Sequence, residues 1–125
     1  MTTDELLEYC LTKKSAYVDF PFGELPVCVR VEGRIFAQIY PHPEERKVTL
    51  KCEPLTGDDY RRRYPGAVVR AYWCPASQQL YWYTLMLNGT VPDGALKGMV
   101  DHAYAAAVAK LPKRVQKKLS GEIMG

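Results

Sequence analysis

The chain has no apolar run long enough to cross a membrane. Its longest stretch without a charge, Ala71 to Pro92, is broken by Pro75, Ser77, Gln78, Gln79, Asn88 and Gly89, whereas a helical span needs roughly 20 predominantly apolar residues. The N-terminus also lacks the basic patch and apolar stretch of an export signal. It opens on Asp4, Glu5 and Glu8, so a cytoplasmic location with no membrane partner is expected. There is no Cys-x-x-Cys pair. Cys10, Cys28, Cys52 and Cys74 lie far apart, which removes the closely spaced ligands of a zinc site and favours buried free thiols over a secreted disulfide framework. Histidine is scarce, and neither His42 nor His102 has a Ser, a Cys or a second His at a recognisable catalytic spacing. Gly94 and Gly98 fit neither the phosphate-loop nor the dinucleotide pattern. The expectation is a protein without catalytic activity, cofactor or metal.

What is present describes one ordinary globular domain over residues 1–125, with 47% apolar and 25% charged residues. The net charge of +3 is unevenly spread. Residues 1–25 hold two bases and five acids, residues 26–96 nine and seven, and residues 97–125 six and two. The chain is polarised toward a basic C-terminus, a distribution that suits contact with an anionic surface.

Thr2 and Glu5 have capping-box spacing, and Leu6, Leu7, Cys10 and Leu11 share a face, so a first helix is predicted from Thr3 to Lys13. Asp19-Phe20-Pro21-Phe22-Gly23 is a turn by composition. Val27, Val29 and Val31, then Glu32-Gly33, then Ile35, Ala37 and Ile39 read as a hairpin. Val48, Leu50 and Cys52 alternate with Lys47, Thr49 and Lys51 in a third strand, apolar on one face and basic on the other. Pro54 opens a short helix that ends before Pro65-Gly66. Strands are predicted over 67–73 and 80–87, with a loop between them, and Asn88-Gly89 reads as a turn. A long helix follows Pro92 with Leu96, Val100, Ala103, Ala107, Val108 and Leu111 inward, and a short amphipathic helix follows Pro112. The order α-β-β-β-α-β-β-α predicts an α+β two-layer sandwich with an antiparallel sheet of about five strands and terminal helices.

The segments Asp19-Phe20-Pro21-Phe22-Gly23-Glu24, Gly33-Arg34-Ile35-Phe36-Ala37, Leu50-Lys51-Cys52-Glu53-Pro54, Tyr64-Pro65-Gly66, Trp82 before Thr84-Leu85, Tyr104, and Leu111-Pro112-Lys113-Arg114 follow one another along nearly the whole chain. In this order and spacing they together resemble the MmcQ/YjbR family of small bacterial proteins. The resemblance implies a CyaY-like fold and the DNA binding, through a double-wing arrangement, by which the family is described. The segment Trp73 to Trp82 departs from it, with Tyr81 where members usually carry a His. The CyaY-like fold also raises iron binding, but Asp4, Glu5 and Glu8 are only three carboxylates and suit the helix N-terminus.

The family description and the basic bias make DNA the first expected partner, bound through Lys51, Arg61, Arg62, Arg63, Arg70, Lys113, Arg114, Lys117 and Lys118. About six phosphate contacts would give a log–log salt slope of roughly −5. Consecutive arginines on a helix cannot all face one phosphate row. The alternative is a protein- or small-ligand-binding module that uses an aromatic sheet face at Tyr81 and Tyr83. A monomer or weak dimer is expected.

Overall fold

The computed structural model describes residues 1–42, 46–72 and 74–121. Helix α1 (Thr3–Leu11) starts at the capping box. The Glu5 amide donates to Thr2 Oγ1 at 3.1 Å, and the Thr2 amide donates to Glu5 Oε1 at 2.8 Å. The chain then runs through β1 (Ala16–Asp19), β2 (Val27–Val31), β3 (Arg34–Tyr40), β4 (Lys47–Lys51), α2 (Pro54–Arg63), β5 (Val68–Arg70), a 3₁₀ helix (Ala76–Tyr81), β6 (Trp82–Met86), α3 (Asp93–Val108) and α4 (Lys113–Gly121).

The strands form one antiparallel sheet in the order β1-β2-β3-β4-β6-β5. The β2–β3 hairpin turns on Glu32 (φ 48°) and Gly33 (φ 84°), the two consecutive positive values that a tight hairpin turn requires. The sheet has six strands, one more than the alternation predicts. The addition is β1, whose four residues are too few to show a period and end in the Asp19 that composition assigns to a turn. Its antiparallel pairing with β2 gives it strand form, and the Asp19 carboxylate accepts from Arg30 Nε at 2.6 Å. The last two strands are also shorter than predicted. Leu80 and Tyr81 lie in the 3₁₀ helix, and β5 spans three residues. Trp73 lies outside the described residues.

Helices α1 and α3 cover one face of the sheet. There Leu6, Val29, Phe36, Ile39, Val48, Leu50, Leu85, Met99 and Val100 form a core that excludes water, the dominant favourable term in folding. Phe36 meets Tyr104 of α3 edge to face at 5.5 Å. Cys10, Cys28 and Cys52 are buried, Cys74 is half-buried, and all four thiols are free. Burial pushes the Cys10 thiol up to about 12 and the Cys52 thiol up to about 11, so both stay protonated. Strand alternation sends Lys47, Thr49 and Lys51 to the opposite face, called here the open face.

Candidate functional site

The open face is only partly open. Thr49 and Thr84 sit directly across from each other on β4 and β6, are fully buried, and share a hydrogen bond of 3.0 Å between their hydroxyls. The segment that precedes β6 arches over this face. Cys74, Pro75 and Gln78 form one wall of a cavity of about 470 Å³. Ile35, Gln38 and Tyr40 of β3 and Trp82 of β6 line it from the sheet, and Phe22 and Pro26 from the loop after β1. The described lining residues include no carboxylate.

The cavity continues into a basic region. Ile35, Gln78 and Trp82 also line a neighbouring space of about 270 Å³ that adds Arg30, Arg34 and Lys51. Arg34, Lys51 and Gln78 in turn line an outer space of about 250 Å³ with Tyr81 and Lys110. The three spaces share side chains and make one groove, apolar at one end and cationic at the other. Lys51 Nζ lies 5.2 Å from the Trp82 ring centroid and 5.3 Å from that of Tyr81. Lys110 Nζ lies 5.5 Å from the Tyr81 ring centroid. Burial, followed by the positive charges of Lys110 and Arg34, holds the Lys51 ammonium below the usual lysine range. Arg30 differs, because its charge is answered by Asp19.

The nine basic residues expected to meet DNA are distributed over several elements. Lys51 is half-buried in the groove. On α2, Arg61 pairs with Asp58 at 2.6 Å and Arg63 with Asp59 at 3.0 Å, while Arg62 is exposed. Arg70 is exposed at the end of β5. Lys113, Arg114, Lys117 and Lys118 are exposed on α4, with Lys118 Nζ 3.9 Å from Glu32.

Of the two tyrosines expected on an exposed aromatic face, Tyr83 does not lie on one. Tyr83 pairs across from Leu50, so its side chain points to the helix-covered face, where it is 0% exposed and meets Tyr60 with ring centroids 5.4 Å apart. The pleat reverses the expectation, because the charged partner strand shows which face is open and Trp82, opposite Lys51, is on it. Tyr81 precedes the strand and flanks the cationic end of the groove. Among the groove residues that sequence reasoning did not single out as site residues are Arg34, Gln78 and Trp82, while Lys110 belongs to the basic C-terminal run without any sign of its place beside Arg34. The alternation that puts Lys51 on the basic face would have led to Trp82, but nothing local joins Arg34 to Lys110. His102 is half-buried, and its Nε2 accepts the Glu53 amide at 3.1 Å. Among the described residues, no group of three or more His, Cys, Asp or Glu is placed to hold a metal ion, and no helix is long and apolar enough to cross a membrane.

These features define a small α+β protein with an open antiparallel sheet, helices on one face and a groove on the other. The chain belongs to the YjbR family, whose model matches residues 11–106. It is 29% identical over 119 residues to the uncharacterized protein YjbR of Escherichia coli K12, across 95% of this chain and 98% of the relative. The crystal structure of Deinococcus radiodurans protein DR2400, a DUF419 domain, superposes with a TM-score of 0.83 at 24% identity, over 95% of this chain and 88% of that one. A protein from Pseudomonas syringae superposes with a TM-score of 0.70 at 16% identity, over 86% of this chain and 99% of that one. The family expected from the segment matches is thereby borne out.

Proposed function

We propose that the chain is a non-catalytic binding protein that takes a small ligand in the groove on the open face of its sheet. The observation that carries this reading is the cavity of about 470 Å³ between β3, Trp82 and the arch before β6, lined mainly by apolar and aromatic side chains. Its volume falls within the roughly 300–1,000 Å³ of small-molecule sites. The neutral fluorophore N-phenyl-1-naphthylamine tests it. Saturable fluorescence enhancement at one probe per chain is expected, with affinity weakened at least about tenfold in Gln38→Trp, whose side chain would fill the cavity, while the variant keeps a cooperative melt. Absence of saturable binding to the wild-type protein refutes the reading.

DNA binding is the second reading, favoured by the exposed Lys113, Arg114, Lys117 and Lys118 along one short helix. The pairing of Arg61 and Arg63 with their own helix's carboxylates leaves fewer cations for phosphates than sequence counting suggests. With about four contacts the salt slope would be roughly −3.6. Fluorescence anisotropy on labelled double- and single-stranded DNA between about 50 and 200 mM salt measures it. Reversal of the four α4 charges should abolish binding, and binding that survives unchanged removes α4 from this reading.

A further inference from the structure

We infer that the groove is built for an amphipathic anion, a ligand whose apolar ring or short chain lies between Tyr40 and Trp82 and whose carboxylate, sulfonate or phosphate group meets Arg34, Lys51 and Lys110. The inference rests on the small-ligand reading above and adds the chemical class of the ligand.

The first support is continuity. Ile35, Gln78 and Trp82 line both the apolar space and the basic space beside it, so one molecule of modest size spans the two.

The second support is uncompensated charge. Arg34, Lys51 and Lys110 converge with no carboxylate at ion-pair distance among the described residues, and no described acid lines the outer space they share; Glu53 acts on Lys51 from farther off, and its pull is outweighed by burial and by the charges of Lys110 and Arg34. Their contacts are with neutral groups. Arg34 donates to the Lys110 carbonyl at 3.4 Å, and the two ammoniums lie over the Tyr81 and Trp82 rings. Ring faces attract a cation without neutralising it, so three like charges are held close at a cost that a bound anion removes. Other cations of the same protein are treated differently. Arg30 is paired with Asp19, Arg61 with Asp58 and Arg63 with Asp59. Arg62, Arg70 and most of the α4 cations also have no acid at ion-pair distance among the described residues but lie in solvent, as Arg34 and Lys110 do, whereas Lys51 is half-buried without an ion pair.

The third support is partial burial. Lys51 is only half exposed, and a charge-assisted contact gains strength as water is withdrawn from it. Trp82 serves both ends, since its ring lines the apolar space and lies beside the Lys51 ammonium.

The test uses two fluorophores that differ only by a sulfonate, 8-anilinonaphthalene-1-sulfonate and N-phenyl-1-naphthylamine. In the wild-type protein the sulfonate is expected to bind about tenfold tighter than the neutral probe, the gain of one charge-assisted hydrogen bond. Lys51→Met and Lys110→Met should each remove most of the sulfonate's advantage over the neutral probe, while Lys51→Arg keeps the preference and Lys113→Met leaves it untouched. Melting curves on every variant separate lost binding from lost fold. If both probes bind the wild-type protein within about threefold of each other, or if Lys51→Met leaves the preference in place, the anion inference is overturned and the small-ligand reading stands. If neither probe binds saturably, both are overturned.

Discussion

Lys51 combines two roles that pull in opposite directions. Burial and the charges of Lys110 and Arg34 make its ammonium less favourable in the folded chain than in the unfolded one. A lysine with a lowered folded value costs stability at neutral pH, and that cost disappears as pH rises from the lowered value toward the ordinary 10.5. Lys51→Met should therefore raise the melting temperature at pH 7 while it weakens anion binding, and a lower melting temperature would contradict the electrostatic account. His102 behaves similarly in a different pH window. Burial lowers it from 6.5, and its Nε2 accepts a backbone hydrogen bond only when unprotonated. The unfolded chain takes up the proton first, so this contribution to stability is complete above about pH 6.5 and is lost as pH falls through and below it. Thermal melts from pH 8 to 5 should show that loss in the wild-type protein and a shallower one in His102→Gln. Equal slopes would remove His102 as the acid-sensitive group.

Single elements depend on close contacts that the sequence does not advertise. Helix α2 approaches the end of β4 so closely that a methyl group at Gly57 would lie 2.7 Å from Cys52 Sγ. Gly57→Ala should cost about 1–3 kcal/mol by overpacking, and Cys52→Ala should recover much of that difference in a double-mutant cycle measured by urea unfolding. Independent, additive effects would show that α2 does not dock through Gly57. The buried Thr49–Thr84 pair is a similar case across β4 and β6. Thr49→Val leaves the Thr84 hydroxyl without its partner and should cost about 1–3 kcal/mol, whereas the double change to valine should cost less than the sum of the single ones. Additivity here would mean that the hydroxyls do not stabilise each other. The long periodic elements were legible because their apolar spacing is set by burial on one side, as in the β2–β3 hairpin and α3. Strand β1 and the 3₁₀ helix were not. Their form comes from pairing with β2 and from packing at the sheet's end, and neither leaves a period in so few residues.

At the scale of the whole molecule, the helices bury one sheet face and leave the other to be covered by the arch before β6. The segment matches that suggest the family depend on order along the chain, which is why they were readable before any contact was known. The groove was not readable in this way. Arg34 starts β3, Lys51 ends β4 and Lys110 follows α3, so their convergence is a product of the fold. Lys51 was singled out for its place on a basic strand face, and its surroundings show that face to be partly enclosed. The basic C-terminal bias seen in composition divides into Lys110 at the groove and the exposed α4 cluster. None of the four α4 cations is among the described residues that line the groove, so the two sets support separate readings. Amide chemical-shift mapping during a titration with 8-anilinonaphthalene-1-sulfonate tests the choice between them directly. We expect the shifts to gather at Ile35, Gln38, Lys51, Gln78 and the Trp82 indole. Shifts confined to Lys113–Lys118, or scattered without saturation, would contradict the groove as the binding site.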